Sequence, residues 1–264
     1  MMLHEIYIYP IKSTKAYKIS QSIVQMQGLN FDREFMLTDL NGKFITARTH
    51  STLYELFAFP IAQGIEIHHK NGSFIRIQYQ DFLYSRNNEV WGDHFPSLVA
   101  KQEINQWLTD KIKDNVQLRW LGEQSQRKIK HYPEYNVSFA DGYPILLCTE
   151  ESLEKVKSEC PTEITMLQFR PNVVIKGYSA FSEQNWHEIQ IGNVKFLHTH
   201  PCTRCILTTR NIYTNQLDPK AEPFRTLKRI NTNENGKPLF GINLIPMNTG
   251  IIKEGDEIKI LSYK

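Results

Sequence analysis

Twice in the first eighty residues an Asn-Gly dipeptide stands between short apolar runs, at Asn41-Gly42 and at Asn71-Gly72. Asn and Gly tolerate the positive φ that a two-residue hairpin turn needs, so each dipeptide reverses one strand onto the next. The first joins the runs 35–40 and 43–46. The second joins the alternation Ile65, Ile67 to Ile75, Ile77, Tyr79. Antiparallel pairing is therefore the expectation for the first ninety residues. Further strands are predicted over 3–9, 19–26, 144–148, 173–175, 188–191, 194–197, 239–245 and 257–261, with a tight turn at Gly192-Asn193. Helices are few. Ala100, Ile104, Trp107, Leu108 and Ile112 fall on one helical face. Thr149 can cap a second helix carrying Glu150 and Glu151 in its first turn, where acidic groups suit the dipole, and a short third is predicted over 224–230. Short strands with tight turns imply a mainly β, α+β chain built of barrel-like units.

The polar stretch 122–136 reads as a surface loop and divides the chain into an N-terminal domain, 1–122, and a second domain, 123–264. With 41% hydrophobic and 22% charged residues the chain can bury ordinary cores. A net charge of +3 with no run of five Lys/Arg gives no footprint for nucleic acid. No window approaches the roughly 18 apolar residues of a membrane span. Four cysteines, at 148, 160, 202 and 205, are too few for a disulfide framework, and no signal peptide opens the chain, so a reducing cytoplasm is expected.

Half of those cysteines lie in His198-Thr199-His200-Pro201-Cys202-Thr203-Arg204-Cys205. Thiols this close can share a soft or borderline metal or exchange electrons. Four zinc ligands within eight residues leave too little chain to wrap an ion, and a thioredoxin-like pair would open a helix. Strand alternation would set His198 and His200 on one face. Spacing alone does not choose between Cys202 and Cys205, nor exclude two ordinary buried cysteines. Elsewhere cations stand beside small donors at strand ends: Lys12-Ser13, Asp32-Arg33, Thr46-Ala47-Arg48 and Arg170-Pro171-Asn172. A guanidinium or ammonium so placed can hold a phosphate or carboxylate. No glycine-rich phosphate loop and no nucleophile elbow is present.

Seven segments in order, 9–13 (YPIKS), 31–35 (FDREF), 46–48 (TAR), 139–144 (FADGYP), 169–175 (FRPNVVI), 202–209 (CTRCILTT) and 238–241 (PLFG), resemble MOSC-domain proteins that carry an N-terminal MOSC β-barrel domain. That family includes the mitochondrial amidoxime-reducing component and its bacterial relatives. The resemblance implies an N-terminal β-barrel packed on a MOSC domain and a molybdenum cofactor. It implies Cys205 as the thiolate on the metal, and Lys12, Ser13, Arg33, Arg170 and Asn172 as contacts of the pterin and its phosphate. Thr46, Arg48 and Asp141 lie on matching motifs and complete the cofactor-binding set. Cys202 stands behind the metal ligand. The implied activity is reduction of small N-hydroxylated compounds (hydroxylamines, amidoximes, N-hydroxylated bases). Electrons would come from a separate flavin or iron–sulfur protein, since this chain shows neither an appended iron–sulfur domain nor an anchor. The alternative is a non-catalytic carrier or sensor of the cofactor or of sulfur.

Overall fold

A computed structural model describes residues 1–264. The chain is mainly β and forms two compact units: residues 1–7, 18–30 and 143–264 make the first, residues 8–17 and 31–142 the second.

The first unit is organised by an eight-stranded sheet whose strands lie in the order Tyr17–Ile19, Met2–Ile8, Val173–Lys176, Ile145–Thr149, Leu239–Pro246, Val194–Thr203, Trp186–Ile191 and Ile258–Tyr263. The pair Ile145–Thr149 and Val173–Lys176 is parallel, and it is joined through the helix Glu150–Glu159, as a parallel connection requires. That helix begins as its sequence predicts, with Thr149 Oγ1 accepting from the Ser152 amide at 3.1 Å. The Gly192-Asn193 turn closes the hairpin that pairs Ile191 with Val194. Long-range pairing sets the first strand: Ile6 lies opposite Val173.

In the second unit Phe35–Thr38, Gln117–Trp120, Asp93–Ala100 and Phe82–Val90 form one antiparallel sheet, and Leu56–Ile61, Gly64–His69 and Phe74–Gln78 a three-stranded meander. The helix Gln102–Ile112 buries Ile104, Leu108 and Ile112, the periodic stripe. Asn71-Gly72 turns between paired strands as expected, with the Gly72 φ at 88°. At Asn41-Gly42 the return run does not form a full strand. Phe44 pairs singly with Thr38, while Lys43 turns to Glu89 of another strand.

The stretch 122–136 is not a surface loop. It contains the paired strands Lys128–Ile129 and Tyr132–Asn136, and it buries Ser125 and Arg127. Its polarity misleads because Arg127 spends its hydrogen bonds on the chain itself. Its Nε donates to Asp93 Oδ2 at 2.8 Å, its Nη1 to the Ser138 and Ala140 carbonyls, and its Nη2 to the Asp141 carbonyl at 3.1 Å. Beneath lies an apolar floor of Met36, Val90, Phe95, Leu121 and Phe139. Each such side chain contributes about 1.5–3 kcal/mol on burial. That is enough to carry several strained turns at the rim, which cost about 1–2 kcal/mol apiece.

Candidate functional site

Within the second unit four of the seven motifs meet. Lys12 and Phe35 exchange main-chain contact, the Lys12 amide donating to the Phe35 carbonyl at 2.8 Å, and the Phe139 amide donates to the Arg33 carbonyl at 2.9 Å. Asp32, fully buried, accepts the Tyr9 amide at 2.9 Å and both oxygens face Arg33 Nη1, at 2.6 and 2.8 Å. The Arg33 guanidinium lies 4.1 Å over the Tyr9 ring. Lys12 is 4% exposed, and its Nζ donates to the Phe139 carbonyl at 2.7 Å and to Asp141 Oδ1 at 2.5 Å.

Burial pushes the Lys12 ammonium down to about 8, with Asp141 opposing. Crowding would raise the Asp141 carboxyl, but the Lys12 charge outweighs it and holds the group well below the usual range. The Asp141 side chain keeps 66% exposure, so it is Lys12 that depends on the pair. The sign of the resulting pH effect follows from the Lys12 shift. Between pH 8 and 10.5 the unfolded chain binds the proton that the folded chain has released, so this group's penalty on folding relaxes as pH rises through that window. Below pH 8 the penalty is present in full. Relative to Lys12→Met, the wild-type protein is expected to gain about 2 kcal/mol of unfolding free energy between pH 7.5 and 9.5. Urea titrations of both proteins at the two pH values measure the difference, and parallel curves would refute it.

The third cation reaches this group through an aromatic residue that sequence reasoning missed. Arg48 sits 4.9 Å over the Trp91 ring, and Trp91 Nε1 donates to Asp141 Oδ1 at 3.1 Å. Thr46 shapes the turn, its Oγ1 accepting the Arg48 amide at 3.3 Å and its carbonyl the amides of Thr49 and His50. Glu34, in the same motif as Arg33, is raised to about 7 by burial while accepting the Phe31 amide.

In the first unit the remaining motifs meet around the cysteines. The strand Val194–Thr203 runs through Cys202, and Cys205 stands just beyond it at the start of the helical turn Ile206–Thr209. Register shifts interrupt the strand between His198 and His200 and between Pro201 and Thr203. Such bulges re-aim side chains, and the two histidines do not share a face. His198 is buried and bonded through Nδ1 to the Trp186 carbonyl at 2.6 Å, and burial lowers its pKa to about 4. His200 is partly exposed, edge-on to Tyr143. No three His, Cys, Asp or Glu side chains gather in an arrangement that could hold a metal ion.

Arg204 ties the cysteine loop to the Arg170 loop. Its Nη1 donates to Cys202 Sγ at 3.0 Å and its Nη2 to the Phe169 carbonyl at 2.6 Å. A second tie runs from Gln168 Nε2 to the Thr208 carbonyl at 3.0 Å. Phe169 stacks on Phe240 at 3.9 Å, and the Arg204 amide donates to the Pro238 carbonyl, which brings in the third motif. Asn172 is fully engaged by the fold: Oδ1 accepts the Leu146 amide at 3.2 Å and Nδ2 donates to the Tyr7 carbonyl at 3.2 Å. Of the two cysteines that spacing could not tell apart, Cys202 accepts the guanidinium bond.

Backbone strain marks the same loops. Positive φ occurs at Ser13 (68°), Arg33 (50°) and Arg170 (57°), and also at Trp91 (53°). L-residues adopt this region at a cost, and it recurs where a loop is shaped to hold a ligand.

The family follows from comparison of the whole chain. Residues 1–115 match the MOSC N-terminal beta barrel domain and residues 134–259 the MOSC domain, so the chain belongs to the MOSC-domain proteins with an N-terminal β-barrel domain. It is 28% identical to mitochondrial amidoxime reducing component 2 of Macaca fascicularis, over 96% of this chain and 82% of that protein. It is 27% identical to mitochondrial amidoxime-reducing component 1 of Homo sapiens, over 97% and 82%. A molybdenum cofactor sulfurase of Drosophila mojavensis is 26% identical over 91% of this chain, which spans 31% of that protein. The crystal structure of the YUAD protein from Bacillus subtilis overlays the whole chain and 96% of its own with a TM-score of 0.48 at 14% identity. No helix of this chain is long and apolar enough to cross a membrane.

Proposed function

We propose that this protein is a molybdenum-cofactor-dependent oxidoreductase that reduces small N-hydroxylated compounds. The observation that carries the reading is the pair of ties, Arg204 to Phe169 and Gln168 to Thr208, that fix a half-buried thiol loop against the strained Arg170. A soft thiolate donor with cationic neighbours fits the donor chemistry of a metal held by a pterin dithiolene and anchored by a phosphate. Cys205 is assigned to the metal. Arg170 in the first unit, and Lys12, Ser13, Arg33, Thr46, Arg48 and Asp141 in the second, are assigned to the pterin and its phosphate. Asn172 is assigned with Arg170 to the same group, its side chain also bonding the Leu146 amide and the Tyr7 carbonyl. When bound, the group supplies two-electron redox chemistry: the N–OH substrate takes up two electrons and two protons, the N–O bond breaks, and N–H and water result.

The chain's own residues supply the setting. Burial brings the Lys12 pKa down to about 8, and Asp141 beside it opposes that shift and favours the charged form. Arg127 holds the Asp141 backbone in place through the neighbouring carbonyls. All four cysteines are free thiols, and a reducing compartment such as the cytoplasm is proposed to keep them so. The electrons are assigned to a separate acidic flavin or iron–sulfur protein, which the net charge of +3 suits. Protein made in a cofactor-competent host should carry about one molybdenum per chain and, with a chemical reductant, turn over benzamidoxime. With an acidic protein donor the rate should fall as salt rises. Molybdenum without turnover would favour the carrier or sensor; one equivalent of zinc and no molybdenum would end both readings.

A further inference from the structure

Arg119 stands in the four-stranded sheet of the second unit without a counter-ion. It lies opposite Met36 on one neighbouring strand and Val99 on the other, so it shares a face with the apolar floor to which Met36 belongs. The residue is 1% exposed. Its Nε donates to Thr38 Oγ1 at 3.2 Å and its Nη2 to Gln117 Oε1 at 2.9 Å, neither of them an acid. Its Nη1 is buried and has no partner in the fold. Asp39 attracts the guanidinium without pairing with it, since Asp39 Oδ1 accepts the amides of Asn41 and Lys43. A guanidinium keeps its charge at any ordinary pH, and burying one without an anion is costly.

The same face carries more groups that want an acceptor. The register runs Arg119, Val99, Tyr84 across three neighbouring strands, and the next step along it pairs Ser97 with Arg86. Directly opposed residues share a face, as do alternate residues of one strand. Ser97 is buried and its Oγ has no partner. Arg86 is exposed, its guanidinium 5.5 Å from the centre of the Tyr84 ring. Burial lowers the Arg119 pKa; Tyr84 and Asp39 oppose the shift, and the nearby charge of Arg86 adds to it. Two guanidiniums that repel each other, with an unused N–H and an unused hydroxyl alongside, are what a doubly charged oxyanion reconciles.

We propose that Arg119, Arg86, Ser97 and Tyr84 form a binding site for a phosphate-type oxyanion on the inner face of this sheet. Arg119 supplies the buried end through Nη1. Tyr84, 44% exposed, and Arg86 supply the rim, where either side chain swings outward with little loss of packing. None of the four is assigned to the cofactor, and the site does not depend on the reductase reading.

The test compares the full chain with Arg86→Gln and Arg119→Met. Each protein is melted in phosphate and in chloride at equal pH and ionic strength, and titrated calorimetrically with inorganic phosphate. The wild type should melt several degrees higher in phosphate. Arg86→Gln alters an exposed rim residue, so it should melt like the wild type in chloride and bind phosphate about tenfold more weakly. Arg119→Met removes the unpaired buried charge, so in chloride it should melt no lower than the wild type, and phosphate should add far less than it does to the wild type. Glycerol phosphate in parallel tells a phosphoryl group on a larger molecule from the free ion. A phosphate gain equal in all three proteins would belong to the cofactor's own phosphate contacts or to salt at large, and would overturn the proposal. So would a wild type indifferent to phosphate. An Arg119→Met protein that melts lower by the same margin in both salts would mean that Thr38, Gln117 and a buried water satisfy the guanidinium, which ends the proposal as well.

Discussion

Alanine at position 205 is expected to leave a folded protein that retains less than about a tenth of its molybdenum and shows no measurable reduction of benzamidoxime. The fold should survive because the backbone of Cys205 closes the turn there. Its carbonyl accepts the Thr208 amide at 3.1 Å and the Thr208 hydroxyl at 3.0 Å, which closes the helical turn whatever the side chain. Cys202→Ala should show the opposite balance. It removes the sulfur that accepts from Arg204 Nη1, and a hydrogen bond to a charged group is worth about 1.5–3 kcal/mol. Stability should therefore fall by about that amount, with part of the metal and activity retained. Elemental analysis and thermal melts of the two variants separate the roles. A fully active Cys205→Ala protein would remove that residue from the metal.

The second large effect concerns packing behind the thiols. Gly241 has a φ of 73°, and a Cβ there would stand 2.6 Å from the Leu147 carbonyl and 2.7 Å from Cys148 Sγ. Neither neighbour can retreat easily. The first is backbone in a central strand and the second is a fully buried thiol, which burial keeps well above its ordinary pKa and so neutral. Gly241→Ala should cost about 2–4 kcal/mol, adding overpacking to backbone strain. The strand that carries Gly241 also pairs with the strand of the cysteines, Ile242 opposite Pro201 and Leu239 opposite Thr203. Spreading it should thus loosen metal binding as well as lower the melting temperature. An unchanged melt would mean that these strands yield more readily than their hydrogen bonding suggests.

Much of the architecture was legible because it rests on local chemistry. Asn71-Gly72, Gly192-Asn193, the Thr149 cap and the Ile104–Leu108–Ile112 stripe each act within a few residues, and each is found where expected. What failed depended on partners far along the chain. Lys43 was read as strand yet pairs with Glu89. Arg127 made its segment look solvated, while distant carbonyls let it be buried. Alternation put His198 and His200 together, and a bulge parted them. The binding residues were reached through motif resemblance, whereas spacing alone left the two thiols equal. Trp91 had one faint local signal, a Trp-Gly pair between the apolar Val90 and the polar Asp93, but tryptophan is so rare in that turn that nothing in the pattern argued for it.

The interleaving of the two units sets an order of events during synthesis. Residues 8–17 and 31–142 make up one unit without anything that follows them, so that unit can consolidate while translation continues. The strand Met2–Ile8 is made long before one of its two neighbours, Val173–Lys176. At about 5–20 residues per second it waits on the order of ten to thirty seconds for that neighbour to be made. Through that interval Leu3 and Ile6 lack the strand that pairs with them on that side, and a nascent chain stalled there would expose them to chaperones and to other chains.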